Sequence, residues 1–230
     1  MIGIVVPAHN ESEALAGCLA ALLLAAQARA LDGEQVAIVV VLDDCTDDSS
    51  AIATASGVQI LSGKLRNVGL ARALGAHLLV AQGARWLAFT DADSVVAPDW
   101  LVTQLSLKAD VVCGCVEVSD WSEHPDGVRE RYLSRYVDAD GHRHVHGANL
   151  GVATAAYQAV GGFSPLVTGE DVALVDALLA SGVEVAWSAA PRVRTSARRR
   201  ARAPGGFSDY LRLLGETTLG CGLPAPLAAP

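Results

Sequence analysis

VAIVVVLDDCTDDS, residues 36–49, decides the fold. Its first seven residues are apolar and mostly β-branched, without the alternation of a half-exposed strand, as expected where both faces of a parallel strand are covered. The run then breaks into carboxylates and hydroxyls. Two further stretches share its character, IGIVV at 2–6 and WLAFT at 86–90, and a weaker strand lies near 58–61. Between them fall helical patterns. Leu15, Cys18, Leu19, Leu22 and Ala26 recur at the spacing of one buried helix face within residues 11–28, and Leu70, Leu74, His77, Leu78 and Ala81 repeat it within 67–82. Strand and helix in alternation predict an α/β chain whose first 95 residues form a doubly wound, mostly parallel sheet with right-handed crossovers. The remainder is less regular: a strand near 110–118, a polar helix over 126–138, a Gly/His-rich loop at 140–151 and a helix after Glu170. A chain of 230 residues without repeat or long linker suits one sheet and one core.

Composition narrows the class. Half the residues are apolar and few are aromatic, so the core is expected to be aliphatic. The longest apolar run, 14–26, falls short of the ~20 residues that span a bilayer and reads as a core helix. No basic stretch followed by a hydrophobic segment opens the chain, which points to the cytoplasm. Five scattered cysteines make neither a Cys-x-x-Cys pair nor a disulfide framework. A net charge of −8 argues against nucleic-acid binding, yet six arginines crowd between Arg192 and Arg202. Such a patch suits a small anion, or is a solvated basic loop.

Ligands of open α/β sheets bind beyond the carboxyl ends of the strands. The residues found there are Pro7-Ala8-His9-Asn10-Glu11, Asp43-Asp44-Cys45-Thr46-Asp47-Asp48 and Asp91-Ala92-Asp93. Pro7 to Glu11 holds no glycine, which excludes a dinucleotide fingerprint, and the near match GCGLPA at 220–225 follows no strand. A carboxylate-rich rim instead suggests a divalent cation, Mn²⁺ or Mg²⁺, through which carboxylates and phosphates share one site. Asp91 and Asp93, separated by one small residue, are the candidate ligands; the alternative is a turn that caps the following helix.

With VVPAHNE at 5–11, VLDDCTDDS at 41–49, RNVGLARALG at 66–75, TDADS at 90–94 and GED at 169–171, residues 1–190 resemble the family 2 glycosyltransferases of the GT-A fold. The resemblance implies a Rossmann-like nucleotide-binding half (1–95), an acceptor and catalytic half (96–190) and a basic segment with a Pro/Ala-rich tail (191–230). It implies a nucleoside-diphosphate sugar donor, UDP-sugar first and GDP-sugar second, a hydroxyl acceptor, a divalent metal and an inverting transfer. Pro7, Ala8, Glu11 and Asp44, with Asp43 beside them, inherit nucleoside contacts; Arg66 and Arg72 lie near the donor. Asp171 becomes the general base, with Glu170 adjacent, although carboxylates at a helix N-terminus also serve its dipole. Gly147, Ala148 and Asn149 would shape the sugar and acceptor pocket, while His144 and His146 are a metal-binding pair or two exposed loop histidines. Where relatives often place a histidine ligand after the base helix, this chain has RVRTSARRR, so the third metal ligand is open.

A sugar-phosphate nucleotidylyltransferase would share the first half of the fold but carry a Gly-rich N-terminal loop that is absent here. A nucleotide-binding module without catalysis is the other alternative, opposed by the presence of Asp91, Asp93 and Asp171. Residues 192–206 are expected to form a lid over the diphosphate, with Arg198 and Arg199 as phosphate contacts. Trp100, Trp121 and Trp187 are candidates to stack on a sugar, or packing residues.

Overall fold

The computed structural model describes residues 1–118, 120–198 and 207–216. The three apolar runs are strands: β1 (Ile2–Ala8), β2 (Val36–Asp43) and β4 (Trp86–Phe89), with β3 (Gln59–Gly63) beside β2. All four are parallel. Helices α1 (Leu15–Ala26), α2 (Ser49–Ala55) and α3 (Val68–Ala81) make the crossovers. The Asn67 side chain starts α3, accepting from the Leu70 amide at 2.9 Å.

Alternate residues of each strand feed opposite layers. Ile4, Val6, Ile38, Val40 and Leu42 pack under α1, α2 and α4 (Trp100–Ser106), while Val5, Val39 and Val41 pack under α3. This two-sided burial is the physical reason why these strands read as unbroken apolar runs.

The sheet continues into the second half as β3-β2-β1-β4-β7-β6-β8-β5, eight strands in all. Here β5 is Val95–Val96, β6 Val111–Val118, β7 Leu150–Ala153 and β8 Val185–Thr195. Strand β7 lies antiparallel to both β4 and β6, and β8 runs parallel to β6. Helices α6 (Thr154–Ala159) and α7 (Glu170–Ala180) share the α3 layer, and α7 buries Leu174, Val175 and Leu178 there. The expected helix over 126–138 shrinks to α5 (Val128–Leu133), which packs with α8 (Phe207–Glu216) around Tyr132, Leu211 and Leu214.

Two departures from the sequence reading concern the site. Residues 192–195, expected at the start of a lid, are the last residues of β8, and Arg192 is tied to Asp138 at 2.6 Å. The rest of that segment from Arg199 to 206 lies outside the described residues. The loop at 140–151 is also not an exposed one: His142, His144 and His146 are all buried. Tyr136 stacks on His144 with ring centroids 4.2 Å apart. Among the described residues no helix is long and apolar enough to cross a membrane.

Gly75 lies on the side of α3 that packs against β1 and β2. A Cβ there would lie 2.6 Å from Val5 Cγ1 and 3.1 Å from Val41 Cγ2. Alanine gains ~1 kcal/mol of helix propensity over glycine. Overpacking of a core typically costs ~1–3 kcal/mol. Gly75→Ala is therefore expected to be destabilised by about 1 kcal/mol, read as a lower urea midpoint with unchanged slope.

Candidate active site

The carboxyl ends of β1, β2 and β4 open into a cavity of about 430 Å³. Pro7, Ala8, His9, Glu11, Asp43, Arg66 and Arg72 line one part of it; Gly147, Ala148, Glu170 and Asp171 line another. Asp91, Asp93 and Arg198 are also in its wall. Most residues singled out from sequence thus surround a single space.

At the first two strands the polar groups are largely occupied with each other. Asp43 accepts from the backbone amides of Leu65, Arg66 and Asn67 at 2.6, 2.8 and 3.0 Å, using both carboxylate oxygens. It shapes the loop between β3 and α3. Asp44, just outside the cavity wall, pairs with the exposed Arg66, whose Nε donates to Asp44 Oδ2 at 2.7 Å. That hydrogen bond is the main cause holding the Asp44 carboxyl below the usual range. His9 Nδ1 donates to the Asp43 carbonyl at 2.6 Å. The Glu11 amide donates to Ser49 Oγ, and the Glu11 carboxylate receives both terminal nitrogens of Arg198 at 2.7 and 2.8 Å.

Arg72 comes from the middle of α3 and is 3% exposed. Its Nη2 lies 2.5 Å from Asp91 Oδ1, and its Nη1 bonds Glu170 Oε1 at the start of α7. Arg198 reaches Asp93 at 3.2 Å besides Glu11. Burial, with the nearby negative charges of Asp91 and Glu11, pushes the Asp93 carboxyl up to about 6, although Arg198 pulls the other way.

Asp171 sits in the first turn of α7, after Gly169 in the left-handed conformation. Its Oδ2 accepts from the Gly147 amide at 2.7 Å and its Oδ1 from the Val172 amide at 2.9 Å, which fixes the carboxylate's orientation. His146, next to Gly147, is pushed down to about 3 by burial and so is neutral at ordinary pH. Its Nε2 lies 3.1 Å from the Tyr136 hydroxyl, which also accepts from the Val116 amide at 2.7 Å.

Two expectations need correction. Asn149 is not in the cavity wall but wholly buried behind it. Its Oδ1 accepts from Trp100 Nε1, and its Nδ2 donates to the carbonyls of Cys115 and Pro191. Cys115 follows directly on the register break between β6 and β8, so the amide satisfies carbonyls that the disrupted ladder leaves over. The histidines are buried ring-stacking residues, not exposed ones, and among the described residues no group of three or more His, Cys, Asp and Glu is assembled for a metal ion. Trp100, Trp121 and Trp187 do not line the cavity. Arg199 lies outside the described residues. Conversely, Asn67, Thr195, Ser196 and Phe207 line the cavity without having been singled out. Phe207 had a legible signal, since Phe207, Tyr210, Leu211 and Leu214 recur at helical spacing.

Residues 3–159, more than half of the chain, match the model of Glycosyl transferase family 2, and the chain belongs to that family. Residues 1–349 of S. aureus TarS in complex with UDP align with a TM-score of 0.64 at 13% identity, covering 86% of this chain and 61% of that one. The same TarS fragment with UDP-GlcNAc gives 0.62 at 15% identity over 97% and 68% of the two chains. GalNAc-T7 with UDP, GalNAc and Mn²⁺ gives 0.63 at 16% identity over 88% and 46%. The chain thus spans 61% of the UDP-bound TarS fragment and less than half of GalNAc-T7. At these identities the likeness is one of fold, and that fold is GT-A. No curated protein matches the sequence.

The raised Asp93 carboxyl makes stability depend on pH in a definite direction. An unfolded Asp titrates at ~3.9, so between there and about 6 the folded chain holds a proton that the unfolded chain has released. This group's contribution to stability therefore declines as pH rises through that window. Asp93→Asn removes the decline. Its stability relative to the unsubstituted chain is expected to be higher at pH 7 than at pH 4 by on the order of 2 kcal/mol, measured by urea unfolding at the two pH values.

Proposed function

We propose that this chain transfers a sugar from a nucleoside-diphosphate sugar to an acceptor hydroxyl in the cytoplasm, with inversion at the anomeric carbon. The observation that carries the reading is the single cavity whose wall holds Asp91 and Asp93 beyond β4 and Asp171 at the start of α7. Residues 1–95 form the nucleotide half and 96–190 the acceptor half. Family membership supports the reaction class, and the UDP present in the TarS and GalNAc-T7 structures supports a UDP-sugar ahead of a GDP-sugar.

In this reading Pro7, Ala8, Glu11 and Asp44 border the nucleoside. Asp43 acts on it by holding the backbone at 65–67. Arg66 and Arg198 offset the charge of the diphosphate, and Arg72 lies near the donor behind Asp91. Two carboxylates at a strand end fit Mg²⁺ or Mn²⁺, hard ions that are commonly held by one or two carboxylates with the substrate's phosphates filling other positions. Asp91 and Asp93 would hold the ion, and when bound it supplies positive charge for the departing diphosphate. Asp171 takes the proton of the acceptor hydroxyl. The bond from the anomeric carbon to the acceptor oxygen forms, the bond to the diphosphate oxygen breaks, and its electron pair leaves with the nucleoside diphosphate. Both Asp171 oxygens accept one backbone hydrogen bond, and each has capacity for another.

A thermal-shift panel of nucleoside diphosphates, with and without Mn²⁺ or Mg²⁺, tests the donor side. A ligand at ~100 times its dissociation constant stabilises by ~2.7 kcal/mol. One base with a metal-enhanced shift is expected; no shift with any of them overturns the reading. Replacing Asp91 and Asp93 together by Ala is expected to abolish the metal enhancement. Asp171→Asn tests the acceptor side: turnover is expected to fall by ~10²–10⁴-fold, as for loss of a general base, while calorimetry gives a nucleoside-diphosphate Kd within about threefold of the unsubstituted enzyme.

A further inference from the structure

Arg72 is placed as no surface-binding arginine would be. It projects from the face of α3 that is otherwise packed on the sheet, between Ala71 and Gly75, and only 3% of it reaches solvent. Its guanidinium spans two carboxylates from distant segments, Asp91 after β4 and Glu170 at the start of α7. Phe163 lies beneath it, 5.8 Å from ring centroid to guanidinium carbon. Gly147 lies against it, and a Cβ at that glycine would overlap the guanidinium. The same glycine's amide holds Asp171. Both partners border the cavity but differ in exposure: the Glu170 side chain is 5% exposed, whereas that of Asp91 is 36% exposed.

We propose that Arg72 is a positioning residue that acts through Asp91. Braced on the buried Glu170, the guanidinium fixes one oxygen of Asp91 and so sets how that carboxylate is presented to the diphosphate and its cation. Its own contact with the donor is not what matters. The proposal rests on the proposed function, in which Asp91 serves the metal-bound diphosphate. A planar fork is required for this task. Lysine at the same place would keep the charge but carries a compact ammonium that cannot present two parallel edges to two carboxylates.

Arg72→Met alone leaves Glu170 as a buried, unpaired charge, and misfolding would then obscure the result. Two other variants avoid this. Arg72→Lys preserves charge balance, and Arg72→Met/Glu170→Gln removes the buried pair as a unit, with Glu170→Gln as its reference. Calorimetry with UDP and GDP, with and without Mn²⁺, and with uridine and guanosine, is the measurement; circular dichroism melting controls for folding.

For the preferred diphosphate, the Kd in Mn²⁺ is expected to rise at least about tenfold in both variants, the scale of a disturbed outer-shell partner of a metal ligand. The Kd without metal and the Kd of the parent nucleoside are expected to stay within about twofold. Loss of affinity by the same factor with and without Mn²⁺ would mean that Arg72 touches the phosphates directly, and would overturn the proposal. So would an Arg72→Lys enzyme with unchanged metal-dependent affinity, because a role in charge balance alone is met by lysine. If the unsubstituted chain bound no nucleoside diphosphate, or bound one without any effect of Mn²⁺, the proposed function itself would fail, which is a different result from failure of the variants.

Discussion

Carboxylates gathered at one edge of a sheet, partly out of water, must be neutralised, and this constraint organises the site. Glu11, Asp91, Asp93 and Glu170 converge there from three segments. Removing such charges from water without partners would cost several kcal/mol each. Two arginines meet the need: Arg72 between Glu170 and Asp91, and Arg198 between Glu11 and Asp93. The arrangement dictates that α3 carries a cation on its sheet-facing side. It also dictates that the chain leaving β8 returns over the end of β1.

The same cations bind the two halves of the sheet to one another. β1 to β4 are a parallel unit whose geometry follows from hydrophobic runs and crossover helices, but β7 enters antiparallel and α7 follows it. Arg72 joins α3 of the first unit to α7 of the second, and Arg198 joins the loop after β1 to the end of β8. Asn149 does a comparable task in neutral form, tying α4, β6 and β8 at the register break. The Asn149 amide has partners for its oxygen and its nitrogen, where an unmet hydrogen bond in the interior would cost ~1–3 kcal/mol. The gain is orientation: Asp91 and Asp171 are each held by a group that is itself held.

Much of the first half was legible in the amino-acid order because its signals are local; the exception is α3, where Leu70 and Leu74 are exposed and the smaller Ala71, Gly75 and Ala76 with Leu79 face the sheet. Seven apolar residues from Val36 to Leu42 can hardly be anything but a doubly buried strand, and the end of such a strand in a wound sheet is where ligands lie. Asp43, Asp91, Asp93 and Asp171 stand out by that rule and by the order of the motifs, and all four line the cavity. The second half was harder. β7 has four residues, and β8 contains Pro191 and two arginines, so neither shows a clean period of two. Arg192 and Arg194 read with their basic neighbours as part of a lid, yet strand pairing with β6 outweighs their charge when the side chains lie at the surface. His144 and His146 show the opposite: the alternating pair reads as two exposed loop residues or a metal-binding pair, but Tyr136 and Phe207 cover the rings.

What the sequence by itself determined, then, is the parallel α/β half, the acidic rim at its strand ends and the family to which both belong, since hydrophobic period and strand-end polarity are properties of neighbours in the chain. Only the tertiary structure decided what each polar residue does. Asp43 spends its carboxylate on three backbone amides, Asn149 is a buried strut and Arg72 a buried bridge. The role of a polar side chain depends on which partner neutralises it and how much water remains, and those partners come from segments as far apart as Glu11 and Arg198, which no local pattern brings together.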